Sequence, residues 1–407
     1  MQTGELLPLK PDVRRMRTGL LADELARRGH QVTWWASAFD HMSKAMLFAD
    51  DTDVRLGETL IVKALKGRPY RKNISWQRYH DHAIIANKFR RLAPQLPRPD
   101  LIVASMPDHQ LAYASLQFAK QAEVPLVVDV RDQWPDIFLD FVPKPVRPLL
   151  KLALGRDFRM VRSLFRESDA LVSMMQQLLD WALERAGRAA TWQDRVFYLG
   201  AAPVTAPRPE VLSEEFRARL AGLAGRFVVT FIGTFGKYYA PTIIAQAAHR
   251  IRSVAGAERM AFVIAGEGRF QAEVEAAAVG LDNMWFPGWL NQDQISALLG
   301  VSSVGVIPCT EVIDTFPNKA FTYMSAGLPV ISSVRGDLRQ LIADPGVGLH
   351  YEPNDLDGLV RRILELHAEP SLRARLAQQS KRLFDEQLSA SVVYPLYADH
   401  LERIAAR

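Results

Sequence analysis

Short apolar runs alternate along this chain with longer segments whose apolar residues recur every three to four positions. The runs have the pattern of buried parallel strands and the segments that of amphipathic helices. In the first half, residues 15–28 read as a helix with Met16, Leu20, Leu21 and Leu25 on one face, ended by Gly29. Strands are expected at 30–35, 100–105, 124–130, 170–173 and 195–198, with a loop over 35–50 and a helix over 111–121. In the second half, strands are expected at 227–232, 261–265, 301–307, after Pro329 and at 347–351. Helices are expected at 295–299, after Pro317 and over 389–406. Strand–helix alternation in both halves gives an α/β chain of two doubly wound domains with a cleft between them. The segment 199–209, small residues with Pro203, Pro207 and Pro209, reads as the hinge. No 20–50-residue repeat is present.

The totals narrow this picture. A chain of 407 residues exceeds one ordinary core. With 48% apolar and 23% charged residues it needs no disordered region. No run approaches the ~18 apolar residues of a membrane span. Residues 1–15 lack the apolar core of a signal peptide. The lone Cys309 excludes an internal disulfide framework, fits a reducing cytoplasm and reads as structural. Residues 2–5 look like the end of a strand with almost none of the strand before it. The expectation is a late start or a truncated first strand.

The net charge of +5 is unevenly placed. Residues 63–98 hold ten Lys and Arg against one acid, Asp81, with Tyr70, Trp76, Tyr79 and Phe89 interleaved. Such a stretch suits an anionic membrane surface or acceptor, a solvated helix face, or nucleic acid. No nucleic-acid motif accompanies it, and no nucleic-acid partner is expected.

Three stretches carry candidate chemistry. After the strand at 301–307 comes a polar loop with Glu311 and Asp314, then Pro317-Asn318-Lys319 opening a short helix that ends at Gly327. A helix N-terminus at a strand's carboxyl end, with a lysine beside it, suits a diphosphate. Gly233-Thr234-Phe235-Gly236-Lys237 ends another strand; its two glycines allow close backbone approach and Lys237 adds charge. Arg131-Asp132-Gln133-Trp134-Pro135-Asp136 ends the strand at 124–130. There Asp132 either takes a proton from an acceptor hydroxyl or caps the next helix, and Arg131 either holds a phosphate or pairs with Asp129. Gly4 permits close approach, and Glu5 contacts an acceptor or caps the first helix.

Residues 317–330, PNKAFTYMSAGLPV, resemble the donor-binding segment of GT-B glycosyltransferases, in particular the retaining family 4 type that builds bacterial surface polysaccharides. The run 262–268 ending in Gly266-Glu267-Gly268, the stretch 283–288 and the D-x-W-P run at 132–135 are similar to the same family. The resemblance implies two Rossmann-like domains facing a central cleft, an acceptor domain over 1–205 and a nucleotide-sugar domain over 206–388. It also implies that a terminal helix, 389–407, crosses back to the first domain. It implies a retaining transfer of a sugar from a nucleotide-diphosphate sugar to a hydroxyl, and the expected acceptor is a lipid-linked glycan at the inner membrane face.

On that reading Lys319 and Lys237 stabilise the leaving diphosphate and Asp132 serves catalysis. Gly233, Thr234, Gly266, Asp314, Pro317, Asn318 and Thr322 line the donor, while Gly4, Glu5 and Arg131 lie on the acceptor side. Thr322 stands where the family has a glutamate for the ribose. No metal motif is evident, so metal-independent chemistry without a cofactor is expected. A catalytically inactive scaffold of a polysaccharide assembly complex and a sugar-nucleotide epimerase of the same fold are the rivals.

Overall fold

The computed structural model describes residues 3–9, 13, 15–311 and 315–407. By contacts the chain divides into two units, 1–199 with 393–407, and 200–392.

The first unit runs α1 (Arg17–Arg27), β1 (Val32–Ser37), β2 (Thr52–Arg55), β3 (Leu60–Leu65), α2 (Trp76–Leu92), β4 (Ile102–Ser105), α3 (His109–Ala122), β5 (Leu126–Val130), α4 (Arg147–Ala153), α5 (Gly155–Glu167), β6 (Ala170–Ser173), α6 (Gln176–Ala186) and β7 (Arg195–Val196). Where the sequence pattern gave only a loop, Phe39–Asp40 and Ala45–Met46 form a two-residue antiparallel ladder. The strands fall into two sheets. One has the order β1–β3–β2, with β3 parallel to β1 and antiparallel to β2. The other, β4–β5–β6–β7, is wholly parallel. Among the described residues no strand precedes α1, and β1 and β4 share no ladder. Residues 3–9 run irregularly instead, and Leu7 is buried on Trp34, Ala36, Val62 and Ala64.

β5 is buried at every position and its neighbours nearly so, as expected of strands covered on both faces. Ile102, Leu126, Val128 and Leu171 form one core with Leu116, Val161 and Leu164 of the helices. The chain's last helix spans Ala390–Ala405, and its part from Val393 belongs to this unit. Tyr397 stacks on Phe197 at 4.5 Å, and the Tyr394 hydroxyl donates to the Leu199 carbonyl.

The second unit contains β8 (Phe227–Ile232), α7 (Thr242–Ile251), β9 (Met260–Ala265), β10 (Met284–Gly288), α8 (Gln292–Val301), β11 (Val304–Ile307), α9 (Asn318–Ser325), β12 (Val330–Ser332) and β13 (Gly348–His350). Its six strands form one parallel sheet, β10–β9–β8–β11–β12–β13. Val229, Phe231, Phe262, Ile264 and Val306 pack on Ile244, Ala247 and Ile251 of α7. Successive strands are laid outward from β8 in one direction, and β11 then starts the other. The order therefore reverses between β8 and β11. Crevices of open α/β sheets lie at the carboxyl ends of strands where the order reverses. The loop after β8 carries Gly233, Gly236 and Lys237, and the loop after β11 leads into Pro317-Asn318-Lys319 at the start of α9.

Candidate functional site

The second unit's site grows from the ends of β8 and β11. α9 is fixed there by Tyr323, whose ring lies over Gly305 of β11 and whose hydroxyl accepts the Ile232 N–H of β8 at 2.8 Å. Only glycine fits at 305, because a β-carbon there would overlap that ring. Ser325 accepts the Val204 N–H at 2.7 Å, tying α9 to the segment before the sheet. Pro317 is the N-cap and Asn318 the first helical residue, as suits a proline that has no N–H to offer.

So held, α9 sends Lys319 under the turn after β8. Its Nζ lies 4.0 Å from the Phe231 ring centre and 3.9 Å from that of Tyr239. A β-carbon on Gly233 would come within 2.7 Å of it. The Nζ is shut off from water and has no hydrogen-bond partner among the described residues. Burial pushes the ammonium down to about 7, opposed by nearby Cys309. Two ring faces recover part of the desolvation cost but supply no hydrogen bond. An anion at the Gly233 turn would supply one.

The glycine turns are tightly built. Gly233, φ +146°, donates to the Ala265 carbonyl at 3.0 Å, and Gly266, φ +132°, to that of Gly288 at 2.8 Å. A β-carbon on Gly266 would overlap the Gly233 carbonyl. Gly266→Ala is therefore expected to displace the Gly233 turn, lower the melting temperature and weaken anion binding. Thermal melts with and without a nucleotide diphosphate check this.

Thr234 is exposed in the same turn. Lys237 is exposed, 3.8 Å from Glu311, and its carbonyl accepts the Thr310 hydroxyl at 2.8 Å. This pins the β8 loop to the β11 loop. Thr322 turns its hydroxyl back onto the Asn318 carbonyl at 3.3 Å. Asp314 lies outside the described residues. Cys309 is buried, with its thiol pushed up to about 12 by burial, so it is no nucleophile at neutral pH.

In the first unit two of the residues proposed for the acceptor side, Glu5 and Arg131, are paired with each other. Glu5 accepts the Thr18 N–H at 2.9 Å in the first turn of α1 and pairs with Arg131. Of its two readings, the helix cap is the one seen. Gly4 lies beside it in the irregular segment. Arg131 sits between Glu5 and Asp129, with Asp129 at 2.8 Å, and donates to the Thr18 hydroxyl at 3.0 Å. Of its two readings, the pairing with Asp129 is the one seen. Arg17, buried, completes the group: it bonds Asp129 at 2.9 Å and the carbonyls of Phe197 and Tyr198 at 2.6 and 3.0 Å. Burial alone would raise the Asp129 carboxyl; Arg131 and Arg17 outweigh it and hold the carboxyl below its ordinary range.

Asp132 accepts the adjacent Gln133 N–H at 2.8 Å and opens no α-helix; a 3-10 segment, Asp136–Phe141, follows Pro135. Burial pushes its carboxyl above the ordinary range, against that N–H and Arg78.

Around Trp134, two residues after Asp132, the structure gathers a cluster that the sequence pattern did not single out. His109, at the start of α3, meets Asp157 of α5 at 2.6 Å, and the Tyr79 hydroxyl donates to the same oxygen at 2.8 Å. Asp108 caps α3 through the Leu111 N–H at 3.0 Å and accepts the Thr3 hydroxyl at 3.1 Å. His82 Nδ1 lies 3.7 Å from Asp108 without a hydrogen bond, and burial lowers this imidazole to about 4. Trp134 is buried beside His82, with Arg78 4.7 Å above its ring. The one available signal was Asp108-His109 at the carboxyl end of β4. Tyr79, His82 and Asp157 arrive from distant helices.

Residues 15–193 match a model described as glycosyl transferase 4-like domain, and residues 226–369 one described as glycosyl transferases group 1. The chain belongs to the family 4-like GT-B glycosyltransferases. The O-antigen chain mannosyltransferase C of Escherichia coli is 29% identical to this glycosyltransferase over 172 residues; the match spans 42% of this chain and 44% of that relative. Among solved structures, an α,α-trehalose-phosphate synthase (UDP-forming) of Burkholderia vietnamiensis has a TM-score of 0.73 at 15% identity, over 100% of this chain and 97% of its own. Sucrose-phosphate synthase of Thermosynechococcus elongatus has 0.70 at 15%, over 96% and 92%. HepE of Anabaena, solved with UDP-glucose, has 0.63 at 16%, over 94% and 95%. At these identities the structures establish the GT-B fold. The site's chemistry rests on the geometry above.

Proposed function

We propose that this GT-B glycosyltransferase transfers a sugar, with retention, from a nucleotide-diphosphate sugar to a hydroxyl of a lipid-linked glycan at the inner face of the membrane. The observation that carries the donor half is Lys319, a water-excluded amine with no hydrogen-bond partner among the described residues, at the switch point of the second unit's sheet. A diphosphate on the Gly233 turn would take its hydrogen bond and hold its proton. Lys237 and the first amides of α9 would share the charge that develops as the bond to the sugar breaks. Solved relatives that bind UDP or UDP-glucose support this class of donor. The mannosyltransferase relative supports a polysaccharide acceptor. Asp132, with its raised carboxyl beside Trp134 and Arg78, is proposed to take the proton of the acceptor hydroxyl.

Incubation with UDP- and GDP-sugars and a lipid-linked glycan, with the anomeric configuration of the product read by NMR, tests the reading. Donor consumption with a retained anomer supports it, and an inverted product overturns the stereochemistry. Transfer is expected to survive EDTA, because the cationic groups assigned to the diphosphate are side chains and amides. One observation favours a second reading, an inactive scaffold: Thr322 bonds inward and leaves the ribose without a carboxylate. Donor turnover would eliminate it.

A pH dependence follows from Lys319. The free amine titrates at about 7, and a bound diphosphate raises that value. Binding therefore takes up a proton above pH 7. Affinity for a nucleotide sugar, whose own phosphates do not titrate there, is expected to fall about fivefold from pH 7 to 8, measured by calorimetry.

A further inference from the structure

The membrane side of the proposed function has so far had only a basic stretch of sequence behind it. In the structure three of its ten cations are paired with acids that lie before it. Lys63 pairs with Asp53 at 2.6 Å, Lys66 with Asp50 at 3.3 Å and Lys88 with Asp51 at 2.5 Å. Another surface of the first unit has the opposite character. Between the 3-10 segment after Pro135 and α5 lies α4, seven residues long, none of them buried. Leu149 is 69% exposed, Leu152 79% and Phe141, just upstream, 59%. An isolated exposed leucine is ordinary, but three large apolar side chains within twelve residues, on a helix with no buried face, are not.

The charge around these residues is mainly positive. Residues 140–159 contain Lys144, Arg147, Lys151, Arg156 and Arg159 against two acids, Asp140 and Asp157. Asp140 pairs with Arg147 at 3.3 Å, and Asp157 is turned inward to His109 and Tyr79, which leaves Lys144, Lys151, Arg156 and Arg159 in excess. Four residues after Leu152, Arg156 opens a cavity of about 690 Å³ that it lines with Arg159 and Arg90. Tyr113, Gln117 and Ser163 supply further polar groups, and no carboxylate lines it. Burial, then Arg156 nearby, holds the Arg90 guanidinium below its ordinary value, as expected of cations gathered without an anion. Apolar side chains beside unpaired guanidiniums are complementary to one kind of surface: acyl chains under phosphate headgroups.

We propose that α4 and its flanks are the membrane-docking surface of this protein, with Phe141, Leu149 and Leu152 entering an anionic bilayer and the Arg90–Arg156–Arg159 cavity receiving a phospholipid headgroup. The inference rests on the membrane-facing acceptor of the proposed function for its place in catalysis, while its own support is exposure and charge. No helix among the described residues is long and apolar enough to cross a membrane.

Flotation of the full chain with phosphatidylcholine vesicles, with and without phosphatidylglycerol, tests it. The wild type is expected to bind the anionic vesicles about tenfold or more tightly, with the difference reduced by high salt. Leu149→Ser/Leu152→Ser and Arg156→Gln/Arg159→Gln are each expected to lose about tenfold with unchanged melting temperatures, since the side chains are exposed. Arg71→Gln/Lys72→Gln, in the first basic stretch, removes equal charge and is expected to keep most of the binding. Equal binding to both vesicle types, or full binding by the leucine variant, overturns the proposal. So does a leucine variant that turns a dimer into a monomer with unchanged vesicle binding, since the surface would then join two copies of the chain. A nucleotide-sugar melting shift on the same samples reports the donor site separately, so failure of either claim is seen without the other.

Discussion

A Lys319→Met protein is expected to melt at a higher temperature than the wild type and to bind nucleotide diphosphates about 100-fold or more weakly. Both effects have one cause. The ordinary lysine titrates near 10.4, and burial between Phe231 and Tyr239 brings Lys319 down to about 7. Between those values the folded protein binds fewer protons than the unfolded chain, so its stability rises with pH across that window. At and below pH 7 folding carries the full cost of the depressed value, which methionine removes. The gain, of order a few kcal/mol, is expected to be largest there and to vanish above about pH 10. Melting curves against pH measure the stability; calorimetry with a nucleotide diphosphate measures the binding. A Met variant that is destabilised at pH 7 would mean that Lys319 has a structural partner, and that its isolation is not kept for an anion.

Asp129→Ala is expected to destabilise the first unit by about 3–5 kcal/mol, because Arg17 and Arg131 would be left buried without their shared carboxylate. Asp129 titrates below its ordinary range when folded. Its stabilisation is therefore complete above the unfolded carboxylate value, about 4, and is lost as the pH falls through the lowered folded value. The variant should lose that acid limb. Urea unfolding followed by tryptophan fluorescence suits the test, since six of the eight tryptophans lie in the first unit. Arg17→Met/Asp129→Leu/Arg131→Met, which removes all three charges, is expected to recover part of the loss.

Much of the second unit was legible in the sequence because its signals are local. β8 falls on residues 227–232 as its apolar run indicates, and the glycines after it, with Pro317-Asn318-Lys319, mark both loops of the switch point. Spacing cannot show that Lys319 is buried between two rings, one 88 residues before it in sequence, and so cannot show its lowered titration.

The first unit was less legible because its polar groups pair over long distances. Arg17 has the spacing of a helix-surface arginine, yet it bonds a carboxylate 112 residues away. His109 meets Asp157 across 48 residues, and the acids that neutralise Lys63, Lys66 and Lys88 lie before the basic stretch, outside the window that made it look uniformly charged. The division of the strands into two sheets was also beyond a strand-by-strand reading. That reading finds strands from their own residues and not from their partners.

The central claim is that Lys319 waits, largely unprotonated above neutral pH, for a sugar-linked diphosphate. The most direct test is calorimetric titration of the wild type with UDP- and GDP-sugars at pH 8, in two buffers of different ionisation enthalpy, to count protons exchanged on binding. The account predicts binding of one class with uptake of about 0.9 proton per donor, and neither binding nor uptake in Lys319→Met. Tight binding without proton uptake, or equal binding by the methionine variant, would contradict it.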